Sequence, residues 1–369
     1  MRYLHRYTIG IQAVFMSRAA SYVFTEPSFR RSPSAEPSGL CLIVQPIHEA
    51  GLARLRAAGL ETRIATDLAP ATLAREAANC VAVITRNGGF PAEAVVAAPR
   101  LRVIGVHGTG TDPVAVPEAT RAGIPVVNTP GANAQSVAEH AIGLIFALAK
   151  AIPQADRAMR EGDHNFRYGA RLVELAGLTL GLVGFGAIGQ ATGQLASALG
   201  MDVLAYGPTR PDSDFEAIGA ERATSLPDLL TRADVVSLHL PLTPQTRGLI
   251  GSGELTRMKA GAFLINTARG ALVDEGALGK ALAAGTIAGA GLDVVSGDAL
   301  AHDHPLHAER RAILTPHVAA STEAALIRAA ERVAGQVVDV LAGRRPPNLV
   351  NAEVWDRRRQ GEPSAEFPA

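Results

Sequence analysis

The sequence has few cysteines, few aromatic residues and no excess of charge of either sign. Its 369 residues include 2 cysteines, 4% aromatic residues, and 35 basic against 35 acidic residues. Cys41 and Cys80 lie in apolar runs without metal-ligand spacing, which predicts buried, reduced thiols and no metal site. A net charge of zero gives no support to nucleic acid or an anionic membrane as a partner.

The sequence also lacks a membrane-spanning segment, since no stretch reaches the roughly 18 uncharged apolar residues that a span requires. Residues 1–39 contain five arginines and two glutamates, with Pro and Ser towards the end. We expect a disordered tail or a start codon assigned too early, with Met16 as the alternative start. An Arg-rich organelle-targeting peptide is the remaining interpretation. The expected location of the protein is the cytoplasm.

What the sequence does contain is a high proportion of hydrophobic residues, 47%, in a chain long enough for two domains. From residue 40, apolar runs alternate with helical patterns, which predicts parallel sheets of the α/β class. We predict strands at 40–44, 81–84, 101–106, 125–128, 178–183, 202–206, 234–240, 262–266, 288–293 and 312–314. Long apolar helices are predicted at 136–150 and 321–341.

These elements predict two Rossmann-like or flavodoxin-like parallel-sheet domains, with the second inserted into the first between the two long linking helices. The first domain, for substrate, is predicted to comprise residues 40–141 and 320–351, where segment 346–350 returns in extended form. The inserted nucleotide-binding domain is predicted at residues 142–319. Residues 352–369 are polar and are predicted to form a disordered tail.

A glycine-rich turn, Gly184-Phe185-Gly186-Ala187-Ile188-Gly189, follows the apolar strand at 178–183 and precedes an Ala-rich helix. The first glycine permits a tight turn, the second lets a pyrophosphate approach the backbone, and the third lets the helix pack on the strand. Free N–H groups at the helix N-terminus would bind the phosphate charge. A turn that merely tolerates glycine is the alternative, but the order strand, turn, helix favours dinucleotide binding.

Three further clusters each follow an apolar strand, at the sheet edge where open α/β proteins bind ligands. They begin at His239, Asn266 and Thr315. In the second cluster, Arg269 carries a planar, permanent charge that suits bidentate capture of a carboxylate. A helix-capping or domain-bridging ion pair is its structural alternative. In the third cluster, His317 follows Thr-Pro, which would fix the direction of a ring able to pass a proton to or from an alcohol.

Together these motifs resemble the D-isomer-specific 2-hydroxyacid dehydrogenases, a family that includes phosphoglycerate dehydrogenases and glyoxylate/hydroxypyruvate reductases. The resemblance covers residues 40–351 and implies hydride transfer between a nicotinamide cofactor and C2 of a small D-2-hydroxy acid or 2-keto acid, in a homodimer. The matching motifs are Gly184 to Gly189, Pro241-Leu242-Thr243-Pro244-Gln245-Thr246, Met258-Lys259-Ala260-Gly261, Asn266-Thr267-Ala268-Arg269-Gly270, Gly291-Leu292-Asp293-Val294 and Thr315-Pro316-His317.

The resemblance implies a role for each matching position. Arg269 would bind the substrate carboxylate, and His317 would be the general acid/base. Where the family has a glutamate paired with that histidine, this chain has Asp298. Asp303 is the alternative partner of His317. In the structural alternative, Asp298 is a solvated acid of a loop and has no catalytic role. Substrate contacts are expected from Arg86, Asn87, Gly88, Gly108, Thr109, Gly110 and Arg269, with exposed backbone N–H groups holding the carboxylate. Cofactor contacts are expected from Gly184, Phe185, Gly186, Ala187, Ile188, Gly189, Thr209, Arg210, His239, Pro241, Thr246, Thr267, Ala268, His317 and Asp293, the last bonded to the nicotinamide carboxamide.

The turn after the strand at 202–206 departs from the pattern of NAD enzymes, which place an acidic residue there for the ribose 2′-hydroxyl. Here the residues are Gly207-Pro208-Thr209-Arg210, so no carboxylate repels a 2′-phosphate and Arg210 can pair with it. NADP is therefore favoured over NAD as the cofactor. The alternative places Arg210 in solvent, with Asp212 or Asp214 reaching back to the ribose.

The substrate side chain is not determined by these motifs. Arg86, Asn87, His107 and His307 are candidates to line that end of the pocket, which points to a polar substrate. Two other functions stay open on this scaffold. One is a nucleotide-sensing, non-enzymatic protein like the co-repressors related to the family, and the other is a formate- or phosphite-type dehydrogenase.

Overall fold

The computed structural model describes residues 39–298, 300 and 304–360, and for Asp298 it describes the backbone alone. The predictions for residues 1–38, Asp303, the Asp298 side chain and residues 361–369 lie outside this range. Two parallel sheets of five and seven strands make up the structure. The predicted α/β class with two parallel-sheet domains is therefore confirmed.

The first sheet has five strands, β1 (Gly39–Ile43), β2 (Leu60–Ile64), β3 (Cys80–Thr85), β4 (Val103–Val106) and β5 (Val126–Val127). They lie in the order β2-β1-β3-β4-β5, and all neighbours are parallel. Its helices are α1 (Glu49–Ala57), α2 (Pro70–Ala77), α3 (Ala92–Val96) and α4 (Val116–Arg121). This is the flavodoxin-like order. Both cysteines are free and buried in this sheet, as predicted.

Two long helices connect the sheets, close to the predicted positions. α5 (Ala134–Ala149) is followed by Ala151, whose left-handed backbone (φ 47°) turns the chain into α6 (Ile152–Arg160) and the short α7 (Phe166–Gly169). The later helix, α13 (Glu323–Leu341), packs on the first sheet, where it contributes Val333 and Val337 to the core. Leu349 then bridges to Val127 in antiparallel register. The chain after residue 320 thus returns to the first sheet.

The second sheet has seven strands, β6 (Thr179–Val183), β7 (Asp202–Tyr206), β8 (Glu221–Arg222), β9 (Val235–Leu238), β10 (Phe263–Asn266), β11 (Gly289–Leu292) and β12 (Ala312–Leu314). Their order is β12-β11-β10-β9-β6-β7-β8, again wholly parallel. Its helices are α8 (Ala187–Ala198), α9 (Asp212–Glu216), α10 (Leu226–Arg232), α11 (Ser252–Arg257) and α12 (Glu275–Ala284). The order reverses between β6 and β9, which opens a ligand crevice at their carboxyl ends.

The segment after residue 351 corrects one prediction. We predicted disorder from residue 352, whereas Ala352–Arg357 forms a 3₁₀ helix that buries Val354 and Trp355 against the first sheet. Arg359 continues the attachment, since its Nη1 donates to the carbonyl oxygens of Ala98, Pro99 and Leu101. The apolar pair within an otherwise polar stretch is the physical reason for this order.

No single helix in the described ranges is long and apolar enough to cross a membrane. α5 and α6 meet that test only as a pair, and the pair is bent by 54° at its junction.

Candidate active site

The glycine-rich turn between β6 and α8 has the geometry of a phosphate-binding loop. Gly184 adopts φ 96°, and a Cβ there would lie 2.5 Å from the carbonyl oxygen of His239. In front of Gly186 there is open space, with no atom within 4 Å of a Cβ built on it. Gly186 is the N-cap of α8 and no side chain caps that helix, so its first N–H groups are available to an anion. Phe185 is buried and stacks on Phe215, so only its backbone can reach a cofactor.

The turn after β7 holds two arginines rather than one. Arg210 forms an ion pair with Asp214, the acid that the alternative interpretation directed to the ribose. Arg222, on the neighbouring strand β8, donates from Nη2 to the carbonyl oxygen of Pro208 (3.4 Å) and pairs with Asp212. Sequence reasoning missed Arg222, because only the pairing of β8 with β7 brings it to this turn.

Two polar side chains, His239 and Thr267, follow the neighbouring strands β9 and β10. His239 bonds to the hydroxyl of Ser237 (2.9 Å), and burial lowers the pKa of His239 to about 4, so its ring is neutral at pH 7. The Thr267 hydroxyl is buried and has no hydrogen-bond partner within the described part of the chain. A buried hydroxyl without a partner costs about 1–3 kcal/mol, so a bound molecule is the natural partner for it. These residues and the uncapped α8 fit a dinucleotide cofactor.

The loop after β10 is held by a buried amide. Asn266 donates from Nδ2 to the carbonyl oxygen of Arg269 (2.8 Å) and accepts from the backbone N–H of Ala268 (3.0 Å). Asn266 is only 1% exposed, so both bonds are shielded from water. The sequence marked Asn266 as part of a motif without a role. Its amide fixes the backbone from which Arg269 extends.

The Arg269 side chain contacts the first sheet's domain. Its Nε lies 3.0 and 3.1 Å from the two carboxylate oxygens of Asp112, and its Nη2 lies 2.9 Å from Oδ1. Its Nη1 donates to the carbonyl oxygen of Ala268 (2.8 Å). The predicted alternative of a domain-bridging ion pair is thus present, and Asp112 was not among the predicted site residues.

His317 lies on a strained loop that a buried carboxylate holds in place. His317 has a left-handed backbone (φ 54°), and its N–H donates to the carbonyl oxygen of Asp293 (2.8 Å). The Asp293 carboxylate accepts from the Thr315 hydroxyl (2.6 Å) and from the N–H groups of Val318 and Ala319 (2.9 Å each). His140 of α5 lies 3.4 Å from the same carboxylate. These contacts bury the Asp293 side chain completely, and its predicted bond to the nicotinamide stays a prediction.

The ring of His317 also reaches across to the first sheet's domain. Its Nδ1 lies 3.3 Å from the amide nitrogen of Asn87, in the loop after β3. Asn87 and His317 were predicted to serve the same reaction, and the structure brings them together. The other predicted partner of the ring, Asp298, has its side chain outside the described part of the chain.

Part of the predicted substrate cradle is already engaged. The N–H of Gly88 donates to Oε1 of Gln45 (2.6 Å), and the N–H of Gly108 donates to the carbonyl oxygen of Val106 (2.9 Å). Arg86 donates to the carbonyl oxygen of Pro46 (3.0 Å). The expectation that exposed N–H groups of both loops hold the substrate carboxylate stays a prediction, and for Gly88 and Gly108 it requires these two bonds to be exchanged for the substrate. The partner of Gly88 is a side chain 43 residues away, whereas the partner of Gly108 is a carbonyl oxygen two residues back.

The two histidines considered for the far end of the pocket both have other surroundings in the structure. His107 is 8% exposed and its Nε2 lies 3.3 Å from the carbonyl oxygen of Leu326 in α13. Burial, together with the nearby charge of Arg86, lowers the pKa of His107 to about 4. His307 lines a surface depression of about 320 Å³ with Gln154 and other residues of α6, and none of the site residues above line it.

Across the described residues, no group of three or more His, Cys, Asp or Glu side chains is arranged to hold a metal ion. Arg269 and His317 are the two candidate site residues that contact the first sheet's domain. Both residues follow strands of the second sheet and both contact loops of the first sheet. Each of them therefore connects a loop of the second sheet to a loop of the first.

The model of the D-isomer specific 2-hydroxyacid dehydrogenase family, NAD binding domain, matches residues 142–319. A glyoxylate reductase from Aeropyrum pernix is 43% identical over 270 residues, which are 72% of this chain and 80% of the relative. A D-3-phosphoglycerate dehydrogenase from Archaeoglobus fulgidus is 39% identical over 311 residues, or 84% of this chain. The chain spans only 59% of the length of that relative.

Solved structures show the same architecture. The NADPH-dependent glyoxylate/hydroxypyruvate reductase of Sinorhizobium meliloti, in complex with NADP and malonate, is 28% identical with a TM-score of 0.77, over 88% of this chain and 99% of the other. The D-lactate dehydrogenase of Aquifex aeolicus, complexed with NAD and lactic acid, is 28% identical with a TM-score of 0.76, over 85% and 99% of the two chains. By sequence and by fold, this chain belongs to the D-isomer specific 2-hydroxyacid dehydrogenase family.

Proposed function

We propose that the chain is an NAD(P)-dependent oxidoreductase that transfers a hydride between the nicotinamide and C2 of a small D-2-hydroxy acid or 2-keto acid. The observation that carries the proposal is the pairing of Arg269 with Asp112 and of His317 with Asn87 across one cleft. A fixed cation and a proton-transferring ring on the same cleft supply the two groups that reduction of a 2-keto acid requires.

Arg269 binds the substrate carboxylate in this proposal. A guanidinium presents paired N–H groups in one plane, which match the two oxygens of a carboxylate. Its backbone is fixed by Asn266 and its side chain by Asp112, so little orientational freedom is lost when the substrate binds. Binding the carboxylate at one end places C2 and its oxygen at a defined position in the cleft.

His317 transfers the proton. Its Nδ1 faces Asn87, so Nε2 is the ring atom left for the substrate oxygen. During reduction the protonated ring gives its Nε2 proton to the oxygen on C2, and during oxidation the neutral ring removes that proton. The Asn87 amide oxygen can accept from Nδ1 when both ring nitrogens are protonated, since the orientation of an amide is assigned from its bonding network.

The residues of the second sheet would hold the cofactor, which supplies or accepts the hydride when bound. The uncapped N-terminus of α8 and the space before Gly186 suit the pyrophosphate, and the unpaired hydroxyl of Thr267 suits a polar group of the bound dinucleotide. Contact between the loops of the two domains over the cleft would exclude water from the hydride path.

NADP is the proposed preferred cofactor. No carboxylate stands at Gly207, and Arg210 and Arg222 both lie at the turn that follows β7. Replacing either arginine by alanine should lower the ratio of kcat/KM for NADPH to that for NADH about 10- to 100-fold, the value of one charge-assisted hydrogen bond. Arg344→Ala, which removes an exposed arginine just after the end of α13, is the control. If neither Arg210→Ala nor Arg222→Ala changes the ratio of kcat/KM for NADPH to that for NADH, the proposed role of these arginines in NADP preference is refuted.

The activity itself is tested with a panel of 2-keto acids: glyoxylate, hydroxypyruvate, pyruvate, phenylpyruvate and sulfopyruvate, each with NADPH and with NADH. We expect turnover of at least one of them, and loss of that turnover in His317→Ala with the cooperative unfolding transition retained. Nicotinamide binding without turnover of any 2-keto acid would instead support a nucleotide-sensing protein. Turnover of formate or phosphite, without turnover of any 2-keto acid, would instead support a formate- or phosphite-type dehydrogenase.

We also propose that the enzyme is a homodimer. The chain between α5 and β6 exposes four large apolar side chains, Ile152, Met159, Tyr168 and Leu172, at 53%, 64%, 81% and 55%. Several exposed apolar side chains along one short segment are typical of an interaction surface, and a second copy of the chain is the proposed occupant. Sedimentation should give a dimer, and a monomer for the double variant Met159→Asp and Tyr168→Asp. A monomeric wild type would refute the dimer.

A further inference from the structure

We propose that Asp112 is a positioning residue, which fixes the Arg269 guanidinium across the cleft so that its free N–H groups face the substrate carboxylate. This inference rests on the proposed function, because it assigns how the carboxylate is recognised. Asp112 follows β4 in the first sheet's domain, and Arg269 follows β10 in the second. The ion pair therefore joins the two walls of the cleft at the point where the substrate would bind.

The contact is directional. The Asp112 carboxylate takes the edge of the guanidinium formed by Nε and Nη2, at distances of 2.9 to 3.1 Å. The Ala268 carbonyl oxygen takes one hydrogen of Nη1 (2.8 Å). A bidentate contact on one edge and a single contact at Nη1 fix the plane of the guanidinium and its rotation within that plane.

Two N–H groups of the Arg269 guanidinium have no partner among these contacts. A guanidinium carries five N–H groups, one on Nε and two on each terminal nitrogen. Nε, one hydrogen of Nη2 and one of Nη1 are used by Asp112 and Ala268. One N–H on each of Nη1 and Nη2 is left, and two terminal N–H groups of this kind form a pair that matches a carboxylate. Arg269 keeps 30% of its side chain exposed, so the group is accessible from the cleft.

The neighbouring backbone fits the same arrangement. A Cβ on Gly110 would collide with Nη2 of Arg269, so only glycine allows the guanidinium to lie against this loop. Gly110 and Asp112 thus act together, the first by leaving room and the second by charge. The opposite role for Asp112 is competition, in which its carboxylate occupies Arg269 until the substrate displaces it. The two roles predict opposite changes in KM.

The test compares wild type with Asp112→Asn and Asp112→Glu, using the 2-keto acid that wild type reduces best and the neutral amide of that acid. We expect Asp112→Asn to raise KM for the keto acid and lower kcat/KM about 10- to 100-fold, the effect of one lost charge-assisted bond. Asp112→Glu restores the charge and should recover part of the loss. Because the amide has no carboxylate for Arg269 to capture, its kcat/KM should change less than threefold.

Binding of NADPH, measured by fluorescence titration, should stay within twofold of wild type in both variants. Asp339→Asn, at a partly exposed acid of α13 that pairs with Arg344, is the matched control and should leave all constants unchanged. A lower KM for the keto acid in Asp112→Asn would establish competition and overturn the proposal. Equal losses of kcat/KM for the keto acid and its amide would also overturn it. A wild type that reduces no keto acid would refute the proposed function instead, so the two failures are distinguishable.

Discussion

Replacing Asp293 by asparagine tests how the loop that carries His317 is held in place. The carboxylate accepts from the Thr315 hydroxyl and from two backbone N–H groups, and both oxygens are used. Asparagine keeps one oxygen and presents an NH₂ group where the other oxygen stood, so at least one charge-assisted bond, worth about 1.5–3 kcal/mol, is lost. The left-handed backbone of His317 stores about 1–3 kcal/mol of strain, which the weakened loop can release by moving.

We therefore expect Asp293→Asn to lower the free energy of unfolding by about 2–3 kcal/mol. It should also lower kcat about 10- to 100-fold, because a shift of about 1 Å in a reacting group has that effect. The assay is kcat at saturating 2-keto acid and cofactor, with the Kd of NADPH measured alongside. Thr315→Val removes a single bond to Asp293 and should give a smaller fall in kcat in a fully folded protein.

The control is Asp228→Asn, which removes a carboxylate that accepts from the N–H of Thr224 on the distant edge of the second sheet. It should lower stability without changing kcat. The reasoning is refuted if Asp293→Asn raises the Kd of NADPH while kcat at saturation stays at the wild-type value. That result would mean that the carboxylate serves the nicotinamide and does not hold His317.

Three further variants test separate parts of the account. Gly184→Ala places a Cβ 2.5 Å from a carbonyl oxygen at φ 96°, and should weaken NADPH binding at least tenfold by isothermal titration. His107 has a pKa near 4 when folded, so falling pH favours the unfolded chain below about pH 6.5, the usual histidine pKa. His107→Gln should thus remove about 1–2 kcal/mol of the stability that wild type loses between pH 7 and pH 5 in urea titrations. Trp355→Ala should cost about 3–5 kcal/mol, because the ring packs in the core of the first sheet.

Each of these variants has an outcome that would contradict it. Unchanged cofactor affinity in Gly184→Ala would mean that the glycine-rich turn does not bind the cofactor. An identical pH dependence in His107→Gln would mean that folding does not lower the pKa of this ring. A loss below about 1 kcal/mol in Trp355→Ala would mean that the segment after residue 351 is not part of the folded core.

The buried strands were predictable because their sequences are continuous apolar runs. Strands β6, β9 and β10 lie within a residue or two of the predicted positions, since strands of a parallel sheet are covered on both faces. The two missed strands are both at sheet edges. Leu60–Ile64 is Leu-Glu-Thr-Arg-Ile with three exposed residues, and Glu221–Arg222 is wholly exposed, so neither carries an apolar run.

The site residues that could be predicted are those that belong to short, continuous sequence motifs. The glycine-rich turn, Arg269 and His317 each follow a recognisable strand, and their motifs resemble one family. Asp112 and Arg222 were missed because their roles depend on contacts with chain 157 and 14 residues away. No local pattern distinguishes such an acid or arginine from one in solvent. The bond from the Gly88 N–H to Gln45 was missed for the same reason, since its partner lies 43 residues away.

The most direct measurement of the central claim is a crystal structure of the ternary complex with NADPH and oxamate, an unreactive analogue of a 2-keto acid. The account predicts the oxamate carboxylate within about 3.2 Å of the terminal nitrogens of Arg269, and its amide oxygen within the same distance of Nε2 of His317. An oxamate bound away from Arg269, or with His317 turned out of the cleft in the closed complex, would contradict the account.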